Sequence, residues 1–395
     1  MPFLVPPGSI DSEELVLILA FGEPSLLEAQ TVLEGAEIVP QCGEVAVANL
    51  KGRGLKGINQ LAGVHKIALP LPAVDSPEFE DAISFPESNF NFSLSLYCME
   101  GDLEGAYEEL SNELLITLRE AGHKKANLVR SRQGVELFSE KVVSRSAMDF
   151  IAFPMGATTQ WGVTVYTTDT EAFKERSSER PYVTSGISLS SRLARLLVNL
   201  SGVEKGQVLL DPFCGSGTIL GEALLKGVEG IGVDRNHGSV ARTRDNLEWV
   251  ASNAREQGRK VPEFSMIVGD ATRLRGLLGD RKVDAIVSEP ILVPKLSAPP
   301  SLEKARKLIR HASAIYSEAL HEMSGVLRSG GRMVLVTPSL RTLEGRDVNL
   351  VFDDIRDVGL RPLQPRGGPH YDYPLRVAHQ STRWVRRMVY VLERA

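Results

Sequence analysis

Between Gly206 and Asp234 the chain reads GQVLLDPFCGSGTILGEALLKGVEGIGVD, a short apolar strand, a turn holding two glycines, a helix and a second apolar strand. A strand, a helix and a following strand close as a parallel crossover, so this stretch commits the C-terminal half to an α/β sheet. The alternation continues on both sides. SLSSRLARLLVNLSG, SVARTRDNLEWVASNAREQG and the run from Leu302 to Leu327 have helical apolar spacing, whereas FSMIVGD, VDAIVS and GRMVLVTPS are short apolar runs. RWVRRMVYVLERA reads as a last strand. These elements predict a doubly wound, mostly parallel sheet with helices on its faces over residues 187–395.

The N-terminal half has a different texture. LVLILAF, FNFSLSLYC and WGVTVYTTD read as strands, and SLLEAQTVLEG and LEGAYEELSNELLITLREAG as modest helices. Short apolar faces of this kind suit small α+β units, packed as one or two compact subdomains rather than one large sheet. DTEAFKERSSERPYVTSG is charged, holds a proline and a glycine and lacks periodicity, so residues 171–186 are expected as a linker between a domain at 1–170 and one at 187–395. A length of 395 residues accommodates two or three domains with ample cores.

Apolar content of 43% and charged content of 24% are those of an ordinary globular protein. Cys42, Cys98 and Cys214 are odd in number and far apart, with no C-x-x-C or paired His, which predicts neither a disulfide framework nor a zinc site. The N-terminus lacks a basic leader, and no apolar run approaches the roughly 18 residues needed to span a bilayer. A soluble protein of the reducing cytoplasm, without metal, is expected. The net charge of −5 hides an uneven distribution: residues 301–395 hold 16 Lys and Arg against 10 Asp and Glu. Arg119 to Arg145 holds seven basic and three acidic residues. Basic stretches on an acidic body suit selective contact with a polyanion, and equally suit solvated faces of helices and strands.

The glycine turn carries the first chemistry. Gly215 and Gly217 let the backbone approach a ligand, and the helix behind them opens with unpaired N–H groups. No Lys follows, which excludes a P-loop, and Leu220 breaks the dinucleotide pattern G-x-G-x-x-G. Asp234 ends the next strand, where a carboxylate can accept both hydroxyls of an adenosine ribose, and Asp270 follows the third, in position for an adenine amino group. Singly, either acid reads as a helix cap. With the turn, they describe an adenosine ligand lacking a pyrophosphate, and S-adenosylmethionine is the expected cofactor, held by Asp211, Pro212, Phe213, Gly215, Gly217, Asp234 and Asp270.

DPFCGSGTILGEALL followed by GVDRN resembles the first cofactor motifs of the class I RNA guanine-N2 methyltransferases, above all the archaeal and eukaryotic enzymes acting on guanosine 10 of tRNA. RPYVTSGISLSSRLARLLVNL resembles the family's pre-motif helix and STRWVRRMVYVLER its terminal strand. LILAFGEPSLLEAQTVLEG and LFSEKVVSR resemble, more loosely, its ferredoxin-like and THUMP RNA-binding region. The resemblance implies a Rossmann-like methyltransferase domain behind an RNA-binding region, tRNA as substrate and a small activating protein subunit as a further partner. The family's catalytic corner is Asp-Pro-Pro-Tyr. VDAIVSEPILV places Glu289 on its acid, Pro290 on its first proline, Ile291 on the second and Leu292 on the aromatic.

Glu289 and Pro290 are therefore the expected catalytic residues. A guanine amine is a poor nucleophile, because its lone pair is delocalised into the ring; a carboxylate accepting its N–H aims the nitrogen at an electrophilic methyl. Glu reaches about 1.5 Å farther than Asp, so the pocket must be shifted to match. Tyr316, Tyr371 and Tyr373 are candidates to replace the lost ring. Lys124, Lys125, Arg130, Arg132, Lys141 and Arg145 are candidates for RNA phosphates, and Arg383, Arg386 and Arg387 for support of the acceptor strand. Two other readings stand beside methyl transfer to RNA: a cofactor- and RNA-binding protein that has lost transfer chemistry, and an amino-methyltransferase acting on DNA or protein.

Overall fold

The computed structural model describes residues 12–52, 57–74, 76, 78–82, 90–130, 148–183, 189–290, 293–294, 296–352, 355–365, 369–378 and 384–395. The chain divides into two compact units, Met1–Glu171 and Ala172–Ala395.

In the first unit the strands are β1 (Glu14–Leu19), β2 (Glu37–Cys42), β3 (Val45–Asn49), β4 (Val64–Leu71), β5 (Asn91–Leu96), β6 (Asn127–Leu128), β7 (Met148–Met155) and β8 (Thr158–Thr167). They join in a single sheet of order β2-β3-β1-β4-β8-β7-β5-β6. This overturns the expectation of small separate sheets. The reason is the β4–β8 pairing, Lys66 to Leu71 against Trp161 to Thr167, which joins distant chain segments and has no local signature. The helices are α1 (Glu23–Val32), α2 (Glu78–Asp81) and α3 (Leu103–Glu120). Asp102 caps α3 by accepting from the Gly105 N–H, and the helix buries Tyr107, Leu114 and Leu118.

Cys42 and Cys98 form a disulfide across this unit, their Cα atoms 6.2 Å apart, while Cys214 is free and buried. The sequence reading of unpaired cysteines is corrected here. A separation of 56 residues carries no pairing signal until the fold packs Cys42, at the end of β2, and Cys98, just after β5, against one cluster that includes Val16, Val45 and Ile151. The pairing also removes the cysteine spacing as an argument for a reducing compartment.

A helix α4 (Thr170–Ser178) occupies the stretch expected as a linker. Its Arg176 pairs with Glu222 and lies over the Phe173 ring, contacts that hold a helix where the local sequence shows little periodicity. The second unit continues with α5 (Ser191–Leu200), β9 (Val208–Asp211), α6 (Thr218–Leu225), β10 (Glu229–Asp234), α7 (His237–Glu256), β11 (Phe264–Val268), α8 (Leu274–Leu278) and β12 (Val283–Ser288). After these come α9 (Leu302–Val326), β13 (Leu327–Arg341), β14 (Asp347–Asn349), β15 (Leu360–Pro362), β16 (Leu375–Arg376) and β17 (Val385–Arg394). The sheet order is β11-β10-β9-β12-β13-β17-β15, with β14 on β13 and β16 on β17. Strands β11 to β13 in that order run parallel, and β17 is antiparallel to β13.

Leu209, Leu210, Ile231, Val233, Ile286 and Val287 are fully buried, as expected for parallel strands covered on both faces. Burial of each such side chain stabilises the fold by about 1.5–3 kcal/mol. The chain leaves β9 toward β10 and β11, then returns to the other side of β9 as β12. The order therefore reverses between β9 and β12, and ligands of open α/β sheets bind in the crevice at such a point, outside the carboxyl ends of the strands.

Candidate active site

Asp211 ends β9 at the floor of this crevice and is 2% exposed. Its Oδ1 accepts from Ser288 Oγ at 2.6 Å and from the Phe213 N–H at 3.2 Å. Burial pushes its carboxyl up to about 7, opposed by the Ser288 and Phe213 hydrogen bonds and reinforced by the nearby Asp234 and Glu289. Ser288 is the last residue of β12, so this bond ties the two strands at the point of reversal. Through these two bonds Asp211, one of the residues expected on the cofactor, also anchors the start of the turn.

The glycine turn follows. Gly215 and Gly217 have φ of 52° and 77°, in the left-handed region. A Cβ on Gly217 would stand 2.6 Å from Thr243 Cγ2, so α7 packs directly on the turn. Thr243 Oγ1 donates to the Gly215 carbonyl at 2.5 Å and Asn246 Nδ2 to the Ser216 carbonyl at 2.9 Å. These two α7 residues hold the turn and had no motif to announce them. Pro212 is buried, Phe213 packs against the sheet core, and burial pushes the Cys214 thiol far above its usual range, consistent with a space-filling role.

Asp234 closes β10. Its Oδ2 accepts from the Gly215 N–H at 3.2 Å and its Oδ1 from the Asn236 N–H at 2.8 Å, which fixes the carboxylate beside the turn. Asp270 follows β11 and caps the next helical turn, Oδ1 accepting from the Thr272 N–H and Oγ1, each at 2.9 Å. Those bonds hold its carboxyl below the usual range. Its capping role is thus real, and Oδ2 remains for an amino group.

Glu289 follows β12 and is 13% exposed in its side chain, against 17% for Arg387, whose Nε donates to Glu289 Oε1 at 2.5 Å. Burial pushes the Glu289 carboxyl up, and the Arg387 guanidinium pulls against it. Arg387 sits in β17, opposite Pro338 of β13, and reaches the corner from there. The sequence flagged it only as one of three tail arginines. Arg386 instead pairs with Asp347, and Arg383 lies outside the described residues. Pro290 is buried; Ile291 and Leu292 lie outside the described residues.

Two of the three tyrosines considered as a replacement ring are buried, and the third is half-buried. Tyr316 is 1% exposed and donates its hydroxyl to the Val336 carbonyl at 2.7 Å. Tyr371 is buried, and Tyr373 stacks on Tyr390 while donating to the Leu363 carbonyl at 2.9 Å. Of the basic residues expected on RNA, Lys124 and Lys125 are exposed, Arg130 is paired with Glu108, and Arg132, Lys141 and Arg145 lie outside the described residues. No group of three His, Cys, Asp or Glu is arranged to hold a metal, and no helix is long and apolar enough to cross a membrane, among the described residues.

Strand order, a terminal antiparallel strand, a glycine turn after the first strand and an acid after each of the next ones define a class I methyltransferase domain with a Rossmann-like sheet. Comparison with known proteins agrees. Residues 179–347 match the RMKL-like methyltransferase domain family, UPF0020. A tRNA (guanine(10)-N2)-dimethyltransferase of Methanothermobacter thermautotrophicus is 39% identical over 169 residues, 43% of this chain and 44% of that protein. A "Probable tRNA (guanine(10)-N2)-dimethyltransferase" of Methanothermococcus thermolithotrophicus is 36% identical over 113 residues, 29% of this chain and 67% of that protein. The chain belongs to this family. It spans less than half the length of the Methanothermobacter relative. TrmN from Thermus thermophilus shares the fold, with a TM-score of 0.52 at 17% identity, over 97% of this chain and all of that one.

Proposed function

We propose that this protein transfers methyl groups from S-adenosylmethionine to the exocyclic N2 of a guanosine in tRNA, position 10 by its relatives' names. The observation that carries the reading is Glu289: a largely buried carboxylate at the reversal point of the sheet, one oxygen held by Arg387 and Oε2 left for another donor.

The crevice fits the cofactor on its own chemistry. Asp211, Asp234 and Glu289 lie near enough that both neighbours raise the Asp211 carboxyl, a concentration of negative charge that favours a sulfonium cation. When bound, the cofactor supplies an electrophilic methyl. Asp234 would hold the ribose hydroxyls, Asp270 Oδ2 the adenine amino group, and Gly215 and Gly217 the close approach of the backbone. Glu289 Oε2 accepts an N–H of the guanine amine and aims its nitrogen. Its upward-shifted carboxyl is also suited to take the proton the amine sheds. Arg387 fixes the longer acid in one rotamer, which offsets the change from Asp to Glu.

Residues 1–170 are the proposed RNA-binding, THUMP-like domain, with Lys124 and Lys125 free for phosphate, and the cytoplasm with a small activating subunit completes the reading. A second reading, cofactor and RNA binding without transfer, is favoured by the burial of Tyr316 and Tyr371 and the stacking of Tyr373 on Tyr390. Incubation with labelled S-adenosylmethionine and bulk tRNA, followed by mass spectrometry of the nucleosides, separates them. Methylated guanosine, carrying one or two methyls, is expected. Tight cofactor binding with no labelled RNA would establish the second reading.

A further inference from the structure

We propose that the exposed face of the N-terminal half of α9, formed by Lys304, Arg306, Lys307 and Arg310, is a surface for the phosphate backbone of the RNA substrate. The proposal rests on the RNA-methylating reading above and locates where, on this unit, the RNA is gripped.

All four side chains are exposed, and none makes an ion pair among the described residues. His311 is exposed beside them, and Glu303 is the acid on the same stretch of helix. Their placement works against the helix. Lys304 stands in the first turn, where the dipole favours anions, with Glu303 beside it, and Arg306, Lys307 and Arg310 follow over the next two turns. Arg306 and Arg310 are a like-charge pair four residues apart, and Lys304, Lys307 and Arg310 repeat at three, spacings that bring side chains together. Glu303 and Lys307 are the one opposite pair at four. Folding alone gives no reason for this arrangement; a polyanion at the surface does.

The location adds to this. The opposite face of the same half-helix buries Ala305, Ile309, Ala312 and Tyr316, and Val293 and Leu296 of the stretch after Glu289-Pro290 pack against it. Burial raises the Tyr316 phenol, and the nearby Glu289 adds to it. α9 is thus the wall behind the acceptor corner, and its basic face lies one helix diameter away, about 10–12 Å. An RNA whose base enters the corner has its flanking backbone within reach of long Lys and Arg side chains. The chain's basic C-terminal segment, 16 Lys and Arg against 10 acids, supplies the setting.

The test is tRNA binding by the full chain as salt is raised, for the wild type and for a Lys304→Gln, Arg306→Gln, Lys307→Gln, Arg310→Gln variant. The wild type should lose affinity steeply between about 50 and 200 mM salt, and the variant should bind about 10–100-fold more weakly, with a logarithmic salt slope shallower by about two to four. Affinity for S-adenosylhomocysteine and the helical circular dichroism should be unchanged, because none of the four faces the cofactor crevice or the core. Equal tRNA affinity and slope in the two proteins would overturn this surface while leaving the methyltransferase reading intact. Wild-type protein that binds tRNA without salt dependence would overturn this surface alone, and wild-type protein that binds no tRNA at any salt would overturn both. Loss of affinity equal for tRNA and for polyglutamate, with the tRNA slope unchanged, would assign the face to an acidic protein instead.

Discussion

Asp211 is partly protonated near neutral pH, where its unfolded counterpart is charged. Its folded value of about 7 lies above the ordinary 3.8, so between those values the folded chain binds a proton that the unfolded chain has lost. Stability then falls as pH rises through that window and stays lower above it, by at most about 4 kcal/mol. Asp211→Asn keeps an acceptor for Ser288 and removes the charge. It should raise the urea midpoint at pH 8 and flatten the profile between pH 4 and 7; an unchanged profile would show the carboxyl to be ionised throughout.

The second residue-scale prediction concerns Glu289. Its carboxyl is raised by burial and held down by Arg387, so Arg387→Met should raise it further. The carboxylate is the active form, lost as pH falls through its pKa. The acid limb of kcat/KM should therefore move to higher pH in the variant, with a lower rate at neutral pH. Glu289→Ala should lower transfer by about a hundredfold or more while leaving cofactor affinity nearly intact. Equal single-turnover rates with wild type would dismiss it as the acceptor ligand. Asp234→Ala should weaken cofactor binding by about 1.5–3 kcal/mol in calorimetry.

Among the elements, β4, β5, β7 and β8 of the first unit are tied by a fully buried polar network. Lys66 Nζ donates to Asp149 Oδ2 at 3.0 Å and to Ser95 Oγ at 2.9 Å; Ser93, Ser95 and Thr164 donate to the same carboxylate at 2.7–3.0 Å. Lys66→Met strands a buried carboxylate and should cost about 3–5 kcal/mol in chemical denaturation. The Cys42–Cys98 bond crosses the same unit, and a thiol titration of the oxidised, denatured chain should find one free thiol, that of Cys214.

At the scale of the molecule, charge is divided along the chain: residues 1–300 are acidic and 301–395 basic, within a net −5. Net charge alone would argue against nucleic acid, yet affinity for RNA depends on local clusters. tRNA binding should therefore remain strongly salt-dependent in spite of the overall negative charge. A salt-independent affinity would point to contacts with bases or sugars rather than phosphates.

The elements of the second unit were legible in the sequence because parallel strands buried on both faces leave continuous apolar runs, and because a turn that needs positive φ leaves glycines. VDAIVS maps onto β12 residue for residue, and Gly215 and Gly217 take the left-handed backbone the turn demands. The acids at the strand ends were legible by position, since an open α/β sheet binds at its carboxyl edge. What those acids bond to was not. Arg387 meets Glu289 across 98 residues, and Ser288 meets Asp211 across 77. Both pairings exist only because β17 returns beside β13 and β12 returns beside β9. The single sheet of the first unit has the same origin, and its disulfide joins segments that stand far apart in that strand order. Local sequence determines strands, turns and caps through short-range sterics and periodicity; which distant side chains share a crevice is decided by strand order, which only the assembled sheet contains.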